Sequence, residues 1–207
     1  MQVDLNGHAG ILEALYEAPT GPRFAAVVCH PHPLHGGTMH NHATYRLAKA
    51  VRAVGGASLR FNFRGVGRSG GAYGTGQGEA DDVRTALAWL AVQEPDLPRF
   101  TSGFSFGASG PQGHPGADGP VRGVLAAGLT PMTFDLDFAR HCPKPVAVVQ
   151  AERDQLGSLA DVKALLTGGA APRQLWVVDG AGHLFSEDLD ALQRQAESGL
   201  CWLLERT

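Results

Sequence analysis

Cysteine is scarce in this chain. Its three residues, Cys29, Cys142 and Cys201, form no C-x-x-C pair and leave an odd count, which argues against a disulfide framework and against a thiolate zinc site. Reduced, mostly buried thiols are expected. An excess of one charge is lacking as well: 17 Lys and Arg face 20 Asp and Glu, for a formal net charge of -3. No electrostatic field therefore draws the protein to nucleic acid or to an anionic membrane. No stretch approaches the ~18 consecutive apolar residues of a membrane span. Met1 to Gly7 has no basic region followed by an apolar run, which predicts a cytoplasmic address and no membrane partner. Internal repeats, heptads and low-complexity linkers are absent. What remains is a chain of 207 residues, long enough for a single well-cored domain over 1–207 and short for two, with a charge balance that suits small neutral or weakly charged ligands.

Apolar runs of strand length alternate with longer stretches of helical period, the pattern of βαβ units around a mostly parallel sheet with helices on both faces. The entry differs: Gln2–Leu5 and Ile11–Tyr16 flank the turn dipeptide Asn6-Gly7 and predict an antiparallel pair. Phe24–Cys29 is a continuous apolar run, as expected of a strand covered on both sides. Further strands are predicted at Ala57–Phe63, Phe100–Phe104, Val121–Leu129, Val146–Ala151 and Gln174–Val178. Helical spacing predicts helices over Thr44–Val54, over the segment from Glu79 to Leu90 that carries Val83, Ala86 and Leu87, over Leu159–Leu166 and over Leu189–Glu205.

Gly103-Phe104-Ser105-Phe106-Gly107 follows one of these strands. A G-x-S-x-G segment there permits a sharp strand-to-helix turn that holds the serine in a strained conformation and exposes its hydroxyl. A serine hydroxyl is a poor nucleophile unless a histidine takes its proton and a carboxylate fixes that histidine's tautomer. Chain order Ser, Asp, His selects Asp154, after the strand Val146–Ala151, and His183, after the strand ending at Val178. Glu152 and Asp161 compete for the carboxylate role, and His141 and His114 for the imidazole. Two backbone N–H groups are needed to stabilise a developing oxyanion. Phe106 supplies one as the residue after the serine; the other is expected from His30-Pro31-His32-Pro33-Leu34-His35-Gly36-Gly37. The prolines there have no N–H and drop out, and His32 is the choice among the rest. His30, Leu34, Phe134 and Leu184 are expected to contact substrate, with Met132–Phe138 overhanging the site.

In these motifs the chain resembles the α/β-hydrolase superfamily, and within it the small, capless bacterial serine hydrolases related to dienelactone hydrolase-type and acyl-ester-cleaving enzymes. The resemblance rests on Gly103–Gly107, on His30-Pro31-His32-Pro33 with Gly36-Gly37, on Asn62-Phe63-Arg64-Gly65-Val66-Gly67-Arg68-Ser69, on Lys144-Pro145-Val146 leading to Glu152-Arg153-Asp154, and on Gly182-His183-Leu184-Phe185. It spans nearly the whole chain. It implies an α/β-hydrolase fold without a cap domain, a Ser105–His183–Asp154 triad, no metal or other cofactor, and a small-molecule acyl ester as substrate. Serine rather than cysteine at position 105 separates the chain from true dienelactone hydrolases. The glycines and prolines from Ser109 to Gly116 oppose a long helix after the serine.

Three other readings compete. Gly65-Val66-Gly67-Arg68-Ser69-Gly70 matches the dinucleotide-binding pattern G-x-G-x-x-G, but a Rossmann turn enters its helix at once, whereas Gly71 to Gly76 intervenes here; a structural loop in which Arg64 and Ser69 bond to backbone is the better expectation. His30, His32, His35, His40 and His42 raise a metal site, weakened by prolines that limit how many rings can converge. A non-catalytic small-molecule binding protein on the same scaffold is the third, because fold does not fix function.

Overall fold

In the computed structural model, residues 1–109, 121–134, 136–169 and 171–207 are described. Eight strands form one sheet: β1 (Gln2–Gly7), β2 (Gly10–Glu17), β3 (Phe24–Cys29), β4 (Gly56–Phe61), β5 (Arg99–Phe104), β6 (Val121–Ala127), β7 (Val146–Ala151) and β8 (Arg173–Val178). Their spatial order is β1-β2-β4-β3-β5-β6-β7-β8. Pairing is antiparallel for β1 with β2 and β2 with β4, and parallel from β4 onward. The antiparallel entry and the parallel remainder are those the sequence predicts; the first turn falls at His8-Ala9, since Gly7 pairs with Gly10.

Helices cover both faces, as the parallel part of the sheet requires. Strand β3 shows why its run has no polar alternation: Phe24, Ala26 and Val28 enter one core layer while Ala25, Val27 and Cys29 enter the other. The first layer is closed by α1 (His42–Ala53), through Leu47 and Val51, and by the C-terminal helix Leu189–Leu204, through Leu192, Leu200 and Leu203. The second is closed by α2 (Gln77–Gln93), through Val83, Leu87 and Leu90. Beyond it, Val162 of the helix Leu159–Leu166 packs on Val146 and Val148 in a third cluster. Burial of this kind is worth roughly 25 cal/mol per Å² of apolar surface, and it fixes where each strand ends and hence where each loop begins.

The boundary differences have local causes. Helix α1 begins at His42 rather than Thr44 because Asn41 caps it, its Oδ1 accepting from the N–H of Ala43 at 3.0 Å and of Thr44 at 3.3 Å. Strand β4 stops at Phe61 because the Phe63 N–H donates to the His30 ring. Strand β6 stops at Ala127 because the Leu129 N–H turns to a side chain, Gln150. The short 3₁₀ turn Pro33–His35 and the short helix Asp137–His141 were not expected from periodicity.

The glycine-rich stretch before α2 is an anchored loop. Glu79 accepts from the N–H of Gly74 at 2.8 Å and of Gly76 at 2.7 Å. Asp82, buried, accepts from the Arg64 N–H at 2.9 Å and pairs with its guanidinium at 2.7 Å. The Ser69 hydroxyl donates to the Asn62 carbonyl at 2.7 Å, as the loop reading expects, whereas the Arg64 side chain seeks a carboxylate instead of backbone. Helix α2 starts only at Gln77, so Gly65–Gly70 does not open a helix.

After β5 a single described helical turn, Phe106–Ser109, packs against the end of β3; the glycine- and proline-rich continuation lies outside the described residues. At Gly107 an added Cβ would stand 2.5 Å from the His30 carbonyl oxygen and 2.6 Å from that of Cys29. Both obstacles are backbone in a buried strand end, so neither can swing away. Gly107→Ala is therefore expected to lower stability by about 1–3 kcal/mol, read as a lower denaturation midpoint at unchanged m-value; a midpoint equal to wild type would show that the two segments separate more easily than this contact implies.

Candidate active site

Three loops meet at the carboxyl ends of the parallel strands, where open α/β sheets place their sites. Ser105 follows β5, Asp154 follows β7 and His183 follows β8. Ser105 has φ of 55°, a left-handed conformation that costs a non-glycine residue about 1–3 kcal/mol. The surroundings enforce it: the Ser105 N–H donates to the Ala127 carbonyl at 2.9 Å, and the Ser105 carbonyl accepts from the Ala108 N–H at 2.9 Å.

The His183 imidazole lies between the other two side chains. Its Nδ1 is 2.8 Å from Asp154 Oδ2 and its Nε2 is 3.0 Å from Ser105 Oγ. Asp154 is buried and acts only as an acceptor when ionised, so Nδ1 carries the ring proton and Nε2 is left to accept from the serine hydroxyl. The second carboxylate oxygen of Asp154 accepts from the Leu156 N–H at 2.9 Å. The competing carboxylates are engaged elsewhere. Glu152 accepts from the Gly180 N–H at 2.7 Å, and Asp161 accepts from the Ser158 hydroxyl at 2.6 Å at the start of its own helix. His141 ends the short helix Asp137–His141, and His114 lies outside the described residues.

Backbone clamps hold the histidine loop. Besides Gly180, the Ala181 carbonyl accepts from the Arg153 N–H at 2.9 Å, and the Gly182 N–H donates to Glu187 at 3.2 Å. The segment after β3 lies against Phe106, the residue after the serine. The His32 carbonyl accepts from the N–H groups of His35 and Gly37 at 3.0 and 3.1 Å. Neither the His32 N–H nor the Phe106 N–H makes a hydrogen bond among the described residues, and the two residues touch, with ring centroids 4.9 Å apart.

This architecture has close counterparts. No family model matches the chain. An uncharacterised protein of Rickettsia prowazekii is 34% identical over 194 residues, covering 89% of this chain and 82% of that one. An α/β serine hydrolase homologue from Coxiella burnetii superposes with a TM-score of 0.90 at 32% identity, over 97% of both chains. A serine hydrolase without a lid from Xanthomonas campestris superposes with a TM-score of 0.88 at 27% identity, over 98% of this chain and 94% of that one. The chain belongs to the lidless α/β serine hydrolases.

In this hydrolase the residues expected to contact substrate divide. Leu34 and Leu184 are 68% and 63% exposed beside His32 and His183 in sequence, and Phe134 is half-buried with its ring 5.6 Å from that of Phe106. Of the segment expected to overhang the site, Met132–Phe138, residue 135 lies outside the described residues. His30 is different and corrects the expectation: it is wholly buried, and both its nitrogens are used within the fold. Its Nδ1 lies 2.6 Å from the Pro31 carbonyl, to which it donates, and its Nε2 accepts from the Phe63 N–H at 3.1 Å. His30 therefore braces the loop that carries His32, and its ring presents no accessible surface to a ligand. Among the described residues no three metal-ligating side chains converge, and no helix is long and apolar enough to cross a membrane.

Tyr73 is a neighbour that nothing in the sequence singles out. His32 Nδ1 accepts from the Leu34 N–H at 3.2 Å, so the neutral ring carries its proton on Nε2 and donates it to the Tyr73 hydroxyl at 3.2 Å. Burial, and next the adjacent His35, lower the His32 pKa, which favours this neutral form. Tyr73 sits in the aperiodic glycine-rich loop of this hydrolase, and only the tertiary fold brings it to His32.

Burial lowers the His30 pKa to about 4 from an ordinary value of 6.5. Between those values the unfolded chain binds a proton that the folded chain refuses, so the stability this group contributes is present at pH 7 and is lost as the pH falls through that window. By pH 5 the loss is about 2 kcal/mol. In His30→Gln, the difference in unfolding free energy between pH 7 and pH 5, measured in urea, should be smaller than in wild type by about that amount; equal differences in the two proteins would refute the assignment.

Proposed function

We propose that this hydrolase cleaves a carboxylic ester, with a thioester within reach of the same chemistry, through an acyl-enzyme intermediate formed on Ser105. The observation that carries the reading is the unbroken chain Asp154 Oδ2, His183 Nδ1, His183 Nε2, Ser105 Oγ, with contacts of 2.8 and 3.0 Å.

In the first half-reaction Ser105 Oγ attacks the ester carbonyl carbon while His183 Nε2 takes the hydroxyl proton. The carbonyl oxygen becomes an oxyanion and is held by the N–H groups of Phe106 and His32, for which no acceptor competes among the described residues. Asp154 keeps the imidazole in the required tautomer and stabilises the imidazolium. Collapse of the tetrahedral intermediate expels the alcohol, which leaves with the proton from His183. Water then enters, gives a proton to the same nitrogen, attacks the acyl carbon and releases the acid, and the serine hydroxyl is restored. Each half-reaction begins and ends with neutral imidazole and ionised Asp154. Leu34, Phe134 and Leu184 offer apolar surface to the acyl or alcohol group, consistent with a neutral small-molecule ester.

Ser105→Ala should lower kcat for a short p-nitrophenyl ester by about 10⁴–10⁶-fold with little loss of fold. A fluorophosphonate should label the wild type on the peptide containing residue 105, as read by mass mapping. An unlabelled wild type inactive over a range of acyl chain lengths would favour a binding protein instead. The neighbouring carboxylates give a second check. Asp154→Asn should slow turnover by about 10³–10⁴-fold. Glu152→Gln should change it by less than about fivefold, because an amide oxygen still accepts the single bond from Gly180. The reverse order would move the acid to residue 152.

A further inference from the structure

Strand β7, Val146-Ala147-Val148-Val149-Gln150-Ala151, is apolar except for one residue, and every residue in it is buried. A buried glutamine amide is unfavourable unless its donors and acceptor are all satisfied. Gln150 meets that condition with groups at the edge of the candidate active site. Its Oε1 accepts from the Leu129 N–H at 2.9 Å. Its Nε2 donates to Asp154 Oδ2 at 2.9 Å and to the Gly157 carbonyl at 2.9 Å, with the Leu129 carbonyl sharing at 3.2 Å. The orientation of the amide is fixed by its partners. The Leu129 N–H can only donate, and the carboxylate and both carbonyls can only accept, so a flipped amide would face like groups at every contact.

The geometry points to Gln150 as a positioning residue for the acid of the triad, holding Asp154 so that the oxygen it shares with His183 Nδ1 stays in the imidazole plane. This rests on the Ser105–His183–Asp154 reading above. Without Gln150 the carboxylate would be held by the Leu156 N–H on Oδ1, while its only anchor on Oδ2 would be the imidazole it has to orient. The Gln150 amide, arriving from a buried strand, anchors Oδ2 independently of His183 and shares the charge. A neutral amide is suited to this place. A cation there would compete with His183 for Asp154, and a second carboxylate would repel it. The same amide also ties the end of β6 to the loop at Gly157, so a structural role has to be told apart from a catalytic one.

A double-mutant cycle separates them. The variants are Gln150→Met, Asp154→Ala and the pair, assayed by ester turnover. Gln150→Met in the otherwise wild-type protein should lower kcat by about 10–100-fold, the size of a lost hydrogen bond to a charged group, with KM within about twofold. In the Asp154→Ala background the same substitution should cost less than about threefold, because nothing remains to be positioned. Wild-type kcat in Gln150→Met, or an equal loss in both backgrounds, overturns the proposal. Asp154→Ala with wild-type turnover instead overturns the triad reading, and this proposal with it. Should Gln150→Met not fold, Gln150→Glu keeps the shape and the acceptor for Leu129. Its deficit should grow as the pH rises, since at low pH a protonated Glu side chain can still donate to Asp154 and at high pH two carboxylates repel; a deficit independent of pH, or none, overturns the proposal.

Discussion

Ser105 is held where a non-glycine residue does not settle by itself, and the site depends on what holds it. Its left-handed backbone is bounded by Phe104 in the sheet on one side and by Gly107 lying on the Cys29 and His30 carbonyls on the other. Relaxing the strain would require β5 and the following turn to part from β3, which is buried on both faces. The core thus supplies the free energy that keeps the hydroxyl projecting from the sheet. The same kink turns the Phe106 N–H out of the strand ladder, so the proposed nucleophile and one proposed oxyanion donor come from one backbone event. Packing on the far side of the sheet is therefore linked to the proposed chemistry at its rim.

Around that fixed point the loops are held by polar groups bonding to backbone. Glu152 and Glu187 hold alternate N–H groups of the histidine loop, Arg153 N–H takes the carbonyl between them, His30 spans Pro31 and Phe63, and Glu79 secures the loop that carries Tyr73. Each such bond contributes about 1 kcal/mol net, less than one large apolar side chain. Their value is directional. A hydrophobic contact tolerates sliding, whereas a carboxylate on a single N–H fixes where the next residue points. With His183 Nε2 already 3.0 Å from Ser105 Oγ, the order is present before substrate arrives.

How far the sequence discloses this depends on range. Runs such as Phe24–Cys29 and Val146–Ala151 declare parallel strands because both faces are buried, and strand ends then predict where Ser105, Asp154 and His183 must lie. Glu152 and Asp154 stand two positions apart after the same strand, and nothing in their spacing says which one faces His183. The structure separates them because the Glu152 side chain turns to Gly180. His30 was expected at the substrate because it adjoins His32, yet adjacency in a loop says little about which way a ring turns, and the Phe63 N–H draws this one inward. Tyr73 and Gln150 are harder still. One lies in an aperiodic loop and the other interrupts an apolar strand, and the groups that explain them are between 4 and 41 residues away in sequence. Composition and period describe burial; they do not say which partner satisfies a buried polar atom.

The three side chains also follow a gradient of solvent access. The Asp154 side chain is wholly enclosed, the His183 side chain is 11% exposed, and Ser105 reaches the surface. Enclosure strengthens the attraction between carboxylate and imidazolium, because less water screens it. It also makes Asp154 costly to leave without donors, and that demand is met by Leu156 and Gln150 as well as by His183. At the other end, water is a reactant in the second half of the proposed reaction, so a buried hydroxyl would trap the acyl group. A lidless hydrolase that must admit water at the serine and exclude it at the aspartate has to place the two on opposite sides of the imidazole, and the ends of β5 and β7, with β6 between them, provide that separation.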